Sequence, residues 1–375
     1  MRKRILAIVF ALCMTLTLLP MTALAVTPES QSEADFSDMP DEGSWSYAAL
    51  SAAVENGLLK GSDGKLTPKG CLTRAQMAVI MARAFGATEQ ADISAYTDVP
   101  GDAWYHDALA AAVQMKLFAG TSAATMAPDQ YITRQQAFVV LARALKLNDG
   151  TETTLAKFSD GSSVSAYARG AVAAMVEAGY VGGTGSSLSP AAAITREQFA
   201  QVLYHMIGTY YTSPGTYTQT ASGTVMVNTP GVTLKGMTID GDLILGDGIG
   251  GGDVYLDGIT VTGNVLVRGG GANSIHVTNN TTIYHLTICK TASGGIHLFT
   301  EGVRTEISQV FIEDGKDDII LEGTFPQVIV NAGVSLVLQN ASVSNMTVTA
   351  GAADVSVGKS SAVTSVQIAA DAAGT

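Results

Sequence analysis

The stretch CLTRAQMAVIMARA, residues 71–84, starts a helix against the preference of its own charges. Thr73 followed by Gln76 reads as an N-cap with a capping box: the threonine hydroxyl accepts the Gln76 amide and the glutamine reaches back. Arg74 then occupies the first helical position, where the helix dipole is positive and a cation costs roughly 0.3–1 kcal/mol. The same arrangement returns at Thr133-Arg134-Gln135-Gln136 and at Thr195-Arg196-Glu197-Gln198. A cost incurred three times, at steps of 60 and then 62 residues, marks an internal repeat rather than an accident of one helix.

Other landmarks move in the same register. Phe36-Ser37-Asp38 matches Tyr96-Thr97-Asp98 and Phe158-Ser159-Asp160, and Trp45 matches Trp104 and Tyr167. Gly61, Gly120 and Gly183 correspond, as do Pro68, Pro128 and Pro190. Within a unit, Ala49, Leu50, Ala53 and Val54 fall at helical spacing and stop at Gly57; Met77, Ile80, Met81 and Ala84 form a second apolar stripe. Each unit reads as helix, loop, helix. A single pair of such helices buries too little apolar surface to stand alone, so three units are expected to pack with pseudo-threefold symmetry.

The order Phe-x-Asp, Trp, Gly, Gly, Pro, Thr-Arg-x-Gln resembles the S-layer homology domain, in three copies over about residues 36 to 207. The resemblance implies non-covalent attachment to a secondary cell-wall polysaccharide of a Gram-positive-type wall, often a pyruvylated glycan gripped in grooves between units. It also implies a binding set: Asp38, Trp45, Gly61 and Arg74; Asp98, Trp104, Gly120 and Arg134; Asp160, Tyr167, Gly183 and Arg196. Two features depart from the family. Glutamine stands where the Thr-Arg-Ala-Glu pattern has its acid, and Tyr167 replaces the third tryptophan, which changes the platform of one groove.

The physical reading of these residues is that an arginine beside free helix N–H groups forms a donor cluster for a carboxylate. Trp45, Trp104 and Tyr167 offer flat faces to sugar rings. The aspartates accept hydroxyl hydrogen bonds or hold the arginines. The structural alternative is that each arginine pairs with the nearby aspartate and each aromatic packs under its helix. Lys146, Lys157 and Arg169 read as solvated surface.

After Gly208 the helical period disappears. "GTYYTSPGTYTQTASG" reads as a linker or lead-in strand. Beyond it, residues 236–245 match 258–267 at a step of 22, and Met346 and Val348 match Val366 and Ile368 at a step of 20. Apolar pairs alternate throughout, among them Val254 with Leu256, Ile296 with Leu298, Leu336 with Leu338 and Val355 with Val357. Period two, with coils near 20 residues and no Asn-Gly hairpin signal, predicts a right-handed parallel β-helix rather than a sandwich.

A carbohydrate-cleaving β-helix is the alternative to a structural or adhesive one. It would need clustered carboxylates, a cation or a placed base. Candidates are Asp240, Asp242, Asp314, Lys316, Asp317 and Asp318, with Arg268, Arg304, His276, His285 and His297. No motif organises them, so no catalytic residue is assigned. "GDGIGGGD", 246–253, lacks the spacing of calcium-binding nonapeptides and reads as a turn; no metal or cofactor is expected.

Arg2-Lys3-Arg4, the apolar run Ile5 to Leu19 and Ala23-Leu24-Ala25 have the order of a secretory signal peptide. The apolar run is short for a membrane span, and none is expected after cleavage. Losing those three cations takes the net charge from −12 to −15, which excludes diffuse attraction to nucleic acid. Cys13 lies in the leader; Cys71 and Cys289 lie in different regions, which argues against a disulfide framework.

The expected organisation is a signal peptide at 1–25, a short leader linker at 26–35, repeats at 36–92, 93–155 and 156–208, a linker at 209–222 and a β-helix at 223–375. The expected location is the cell wall or S-layer. The last coil, Val363 to Ala370, carries no polar cap, and self-association or partner contact at that end is a further expectation.

Overall fold

The computed structural model describes residues 31–315 and 317–372. The signal peptide at 1–25, the start of the leader linker, Lys316 and the last three residues lie outside the described residues.

Six helices build the N-terminal half: α1 (Tyr47–Glu55), α2 (Arg74–Phe85), α3 (His106–Gln114), α4 (Arg134–Ala144), α5 (Arg169–Glu177) and α6 (Arg196–Met206). The even-numbered helices each begin with a complete capping box, on Thr73 with Gln76, Thr133 with Gln136 and Thr195 with Gln198. Packing is cyclic: α2 lies against α3, α4 against α5, and α6 returns to α1. Each second helix thus covers the first helix of the next repeat, and the third repeat closes the ring on the first.

The axis of this ring is tied by the residues just before the caps. The Leu72 amide donates to Ile194, Ile132 to Leu72, and Ile194 to Ile132, a closed triangle of backbone bonds between 2.9 and 3.1 Å. All three side chains are fully buried. The expected pseudo-threefold arrangement is therefore realised by main-chain bonds as well as by apolar packing.

The C-terminal half is a parallel β-solenoid of about 8 turns. Every strand pairing is parallel among the described residues, and the 22-residue step is literal: Thr238 pairs with Thr260 and Leu243 with Val265. The 20-residue step pairs Met346 with Val366. Inward residues such as Val225, Leu234, Ile239, Val254, Ile283 and Phe325 form one core, which has no cluster in common with the helices. Val357, Val366 and Ile368 on the last described turn are exposed.

One boundary differs from the sequence reading. Residues 209–222 are no linker: Thr209–Tyr211 pairs with Val225–Val227, Gly215–Tyr217 with Val232–Leu234, and Ala221–Ser222 with Ile239–Asp240. They form the first turn. Their Gly, Ser, Thr and Tyr composition hides the strands because the neighbouring coil supplies the ladder, and Tyr211 stacks on Tyr217 at 3.9 Å.

The two halves share a packed interface. Strands Val225–Val227 and Leu243–Leu245, with the last three residues of Thr260–Val267, are buried on both sides: Met226, Ile244 and Leu266 leave the solenoid core and join the helical one. Phe85, at the end of α2, lies over the Arg268 guanidinium at 5.2 Å. Arg268 is in turn paired with Asp247 at 2.7 Å, and both side chains are almost wholly buried. Tyr210 donates to the Ala84 carbonyl at 2.8 Å, and Asn228 donates to the same oxygen and to the Tyr210 hydroxyl. These bonds satisfy the carbonyl end of α2, which a helix otherwise leaves open.

Candidate functional site

The three arginines do not stand beside free N–H groups. The Arg74 and Ala75 amides donate to the Gln130 and Pro128 carbonyls of the next repeat, and the Gln76 amide to Thr73. Arg134 and Gln135 donate likewise to Ala192 and Pro190, and Arg196 and Glu197 to Gly70 and Pro68. The helix starts are spent on holding the ring together, so the donor cluster for an anion expected from the sequence is absent at these backbones.

The arginine side chains have the same task. Arg74 Nε donates to the Met126 carbonyl at 2.8 Å, Arg134 Nε to Leu188 at 2.7 Å and Arg196 Nε to Leu66 at 2.7 Å. Asp98 accepts the Met126 and Ala127 amides, Asp160 those of Leu188 and Ser189, and Asp38 those of Leu66 and Thr67. Arginine and aspartate thus bracket one short segment from opposite sides, three times over. That segment needs support: Thr67, Ala127 and Ser189, each just before a proline, have φ of 55°, 52° and 49°, a left-handed backbone unfavourable for side chains bearing Cβ. No Arg–Asp ion pair of these residues forms among the described residues.

The electrostatics follow. Burial pulls the pKa of all three guanidinium groups down, while Asp98, Asp160 and Asp38 in turn push back, and the groups stay cationic. Burial would raise Asp98, but the amide bonds and the Arg74 charge outweigh it and hold the carboxyl below its ordinary value. Asp160 is held low by Ser187 and by the Leu188 and Ser189 amides.

The glycines also serve packing. A Cβ on Gly61 would stand 2.2 Å from the Phe36 ring, one on Gly120 2.5 Å from Tyr96, and one on Gly183 2.8 Å from Phe158.

The aromatics behave differently. Trp45, Trp104 and Tyr167 are 59%, 67% and 61% exposed, so none is a core residue. Trp104 borders a groove of about 130 Å³ with Leu59, Lys60, Ile80, Arg83 and Arg196. It draws one residue set from each repeat: Arg83 from α2, Trp104 from repeat 2 and Arg196 from repeat 3. Arg196 is the partly buried member of the arginine trio; Arg74 and Arg134 are more than nine-tenths buried. Arg83 escaped the sequence reading, although the repeat step that relates Arg74 to Arg134 and Arg196 relates it to Arg143 and His205, all exposed in the last turn of their helices.

The candidate acids and histidines of the solenoid are not brought to one point. Asp240 accepts Thr262 and Asp242 accepts the Asn264 amide, each across one coil. Asp314 pairs with Lys116 of the helical half, Asp317 accepts the Gly294 amide, and Arg268 is committed to Asp247. His276 stacks on Tyr255 at 4.4 Å, and His297 faces Glu322 at 3.1 Å. Most of these groups bond neighbouring turns rather than converge on a substrate position.

The S-layer homology domain model matches residues 35–78, 95–138 and 157–200. The surface-layer 125 kDa protein of Lysinibacillus sphaericus is 32% identical over 50% of this chain and 16% of its own length. The S-layer protein sap of Bacillus anthracis is 29% identical over 49% of this chain and 22% of its own. An endoglucanase of a Bacillus species is 28% identical over 54% of this chain and 22% of its own, a likeness carried by the S-layer homology domains alone. The chain thus spans a minor part of the length of these relatives. Three S-layer homology domains, closed into a ring, stand ahead of a parallel β-solenoid in this chain.

Proposed function

We propose that the helical ring holds a secondary cell-wall polysaccharide in the grooves between repeats, and that the solenoid is displayed from it as a structural or adhesive module. The three domains and the S-layer relatives support the broader part, anchoring of an exported surface protein to the cell wall. The observation that carries the finer part is the groove where an exposed indole lies beside Arg83 and Arg196. The indole face covers a sugar ring, and the guanidinium groups of Arg83 and Arg196 meet a carboxylate such as a pyruvyl ketal. Trp45, Trp104 and Tyr167 are the direct ligands in this reading. Asp38, Asp98, Asp160, Gly61, Gly120, Gly183, Arg74 and Arg134 act by shaping the grooves. Three modest grooves on one polymer raise retention by multivalency.

Sedimentation with purified wall sacculi tests this. Arg83→Ala with Trp104→Ala, both on exposed side chains, should lower the retained fraction at least about tenfold with helical content unchanged. Sacculi stripped of pyruvyl groups should lose the unsubstituted protein to a similar degree. Undiminished retention in both arms refutes the groove assignment.

A further inference from the structure

Between the second and third repeats and the side of the solenoid lies a cleft of about 950 Å³, far larger than the inter-repeat groove. Its size is that of a ligand site rather than a packing defect. We propose that it binds a neutral, linear polysaccharide, which continues out of the cleft along the solenoid flank. This does not depend on the wall-anchoring reading, because none of the groove aromatics takes part.

Charge decides the ligand class. The lining holds four cations, Lys116, Arg143, Lys146 and Arg268, and four acids, Glu177, Asp242, Glu313 and Asp314. In a chain of net charge −12 this is a locally balanced surface. Most of these charges are already engaged: Lys116 with Asp314, Arg268 with Asp247, Asp242 with the Asn264 amide and Glu313 with the Asn331 side chain. A polyanion or polycation would find no net field here. What is left for a ligand is apolar surface from Leu145, Leu147 and Phe311 beside uncharged hydrogen-bonding groups, the pairing suited to pyranose rings with their C–H faces and hydroxyl edges. Thr291 adds an independent sign. It is 7% exposed, it lines the cleft, and its Oγ1 has no hydrogen-bond partner among the described residues. A buried hydroxyl without a partner is costly, and because this oxygen has almost no accessible surface it would meet a ligand hydroxyl only on a change of rotamer.

The register of the solenoid extends the site. Asn264 pairs with His285, His285 with Gln309, Gln309 with Gln327, and Gln327 with Asn345. Two residues along each strand runs a second row: Leu266, Thr287, Phe311, Ile329 and Thr347. One row is polar, two asparagines and two glutamines with His285 among them, and the other is largely apolar. Rungs of a parallel stack are about 4.7–4.9 Å apart, close to the advance of one residue in an extended pyranose chain. The solenoid flank therefore offers a hydrogen-bonding edge and an apolar strip in step with a glycan. The first three rungs open into the cleft, where His285 and Phe311 approach to 6.1 Å between ring centres.

Calorimetric titration of the mature chain with chitohexaose, cellohexaose and maltohexaose, and with oligogalacturonate of equal length, provides the test. At least one neutral hexaose should bind with a sub-millimolar constant, at least tenfold tighter than its own dimer and than oligogalacturonate. His285→Ala and Gln309→Ala, at surface positions that leave the fold intact, should each weaken it severalfold, and Phe311→Ala at least tenfold. Arg83→Ala with Trp104→Ala should leave it unchanged. Three results overturn the proposal: no binding of any neutral hexaose at millimolar concentration, binding that survives all three flank substitutions, or a preference for the acidic oligomer.

Discussion

Arg268→Ala tests how firmly the ring and the solenoid are joined. Arg268 and Asp247 have side chains 1% and 4% exposed, the pair is 2.7 Å apart, and the guanidinium sits under Phe85 at 5.2 Å. Removing the cation leaves a carboxylate buried without its partner, a loss of about 3–5 kcal/mol. Part of that is the contact with the ring, roughly 1–2 kcal/mol at a desolvated site. Arg268→Met with Asp247→Asn removes both charges while keeping the volume, and should recover most of the loss, because the desolvation of two ions goes with them. Urea unfolding followed by far-UV circular dichroism gives the free energies, and hydrogen exchange read by mass spectrometry locates the change. In the single variant, amides at the end of α2 and in residues 260–289 should lose protection ahead of the ring axis around Leu72, Ile132 and Ile194. A loss below about 1 kcal/mol, or a double variant weaker than the single, refutes the view that this pair is a buried junction.

Two more expectations concern the ring. Asp98→Asn should destabilise the junction of repeats 1 and 2 by about 1–2 kcal/mol at neutral pH, since one oxygen that accepts the Met126 and Ala127 amides becomes a donor. Because the folded-state pKa of Asp98 is depressed, its contribution is present above the ordinary carboxylate range and is lost as pH falls through the lowered value. Melting curves of the two proteins should therefore converge in acid. Gly120→Ala should cost about 1–3 kcal/mol by overpacking, as its Cβ would meet the Ser122 carbonyl at 2.4 Å and the Tyr96 ring at 2.5 Å; Gly43→Ala, with open space around it, should be neutral in the same thermal scan.

Much of the architecture was legible because it depends on local signals that repeat. Thr73 and Gln76 declare a helix start without reference to anything distant, and three copies at near-constant steps announce a ring. The 22-residue match of 236–245 to 258–267 gave the solenoid register to the residue. What could not be read were the partners. Arg74 looks like a free cation at a helix start until the Met126 carbonyl, 52 residues on, is seen to accept from it. The strands at 209–222 carry no apolar alternation, so only their pairing with 225–240 reveals them. Met226, Ile244 and Leu266 sit at outward positions, and their apolar character makes sense only once the helices lie against them. The cleft between the halves is likewise invisible in sequence, since its lining joins segments of the second and third helical repeats to successive coils of the solenoid, and no single period connects the two.

The triangle at the ring axis has a consequence for how the chain can be made. The Leu72 amide takes its acceptor from Ile194, so the first repeat lacks one of its ties until the third has left the ribosome or the export channel. Nascent chains cut short after two repeats would expose the face of α1 that α6 covers. A two-repeat form would carry that apolar face uncovered and is expected to be prone to clump.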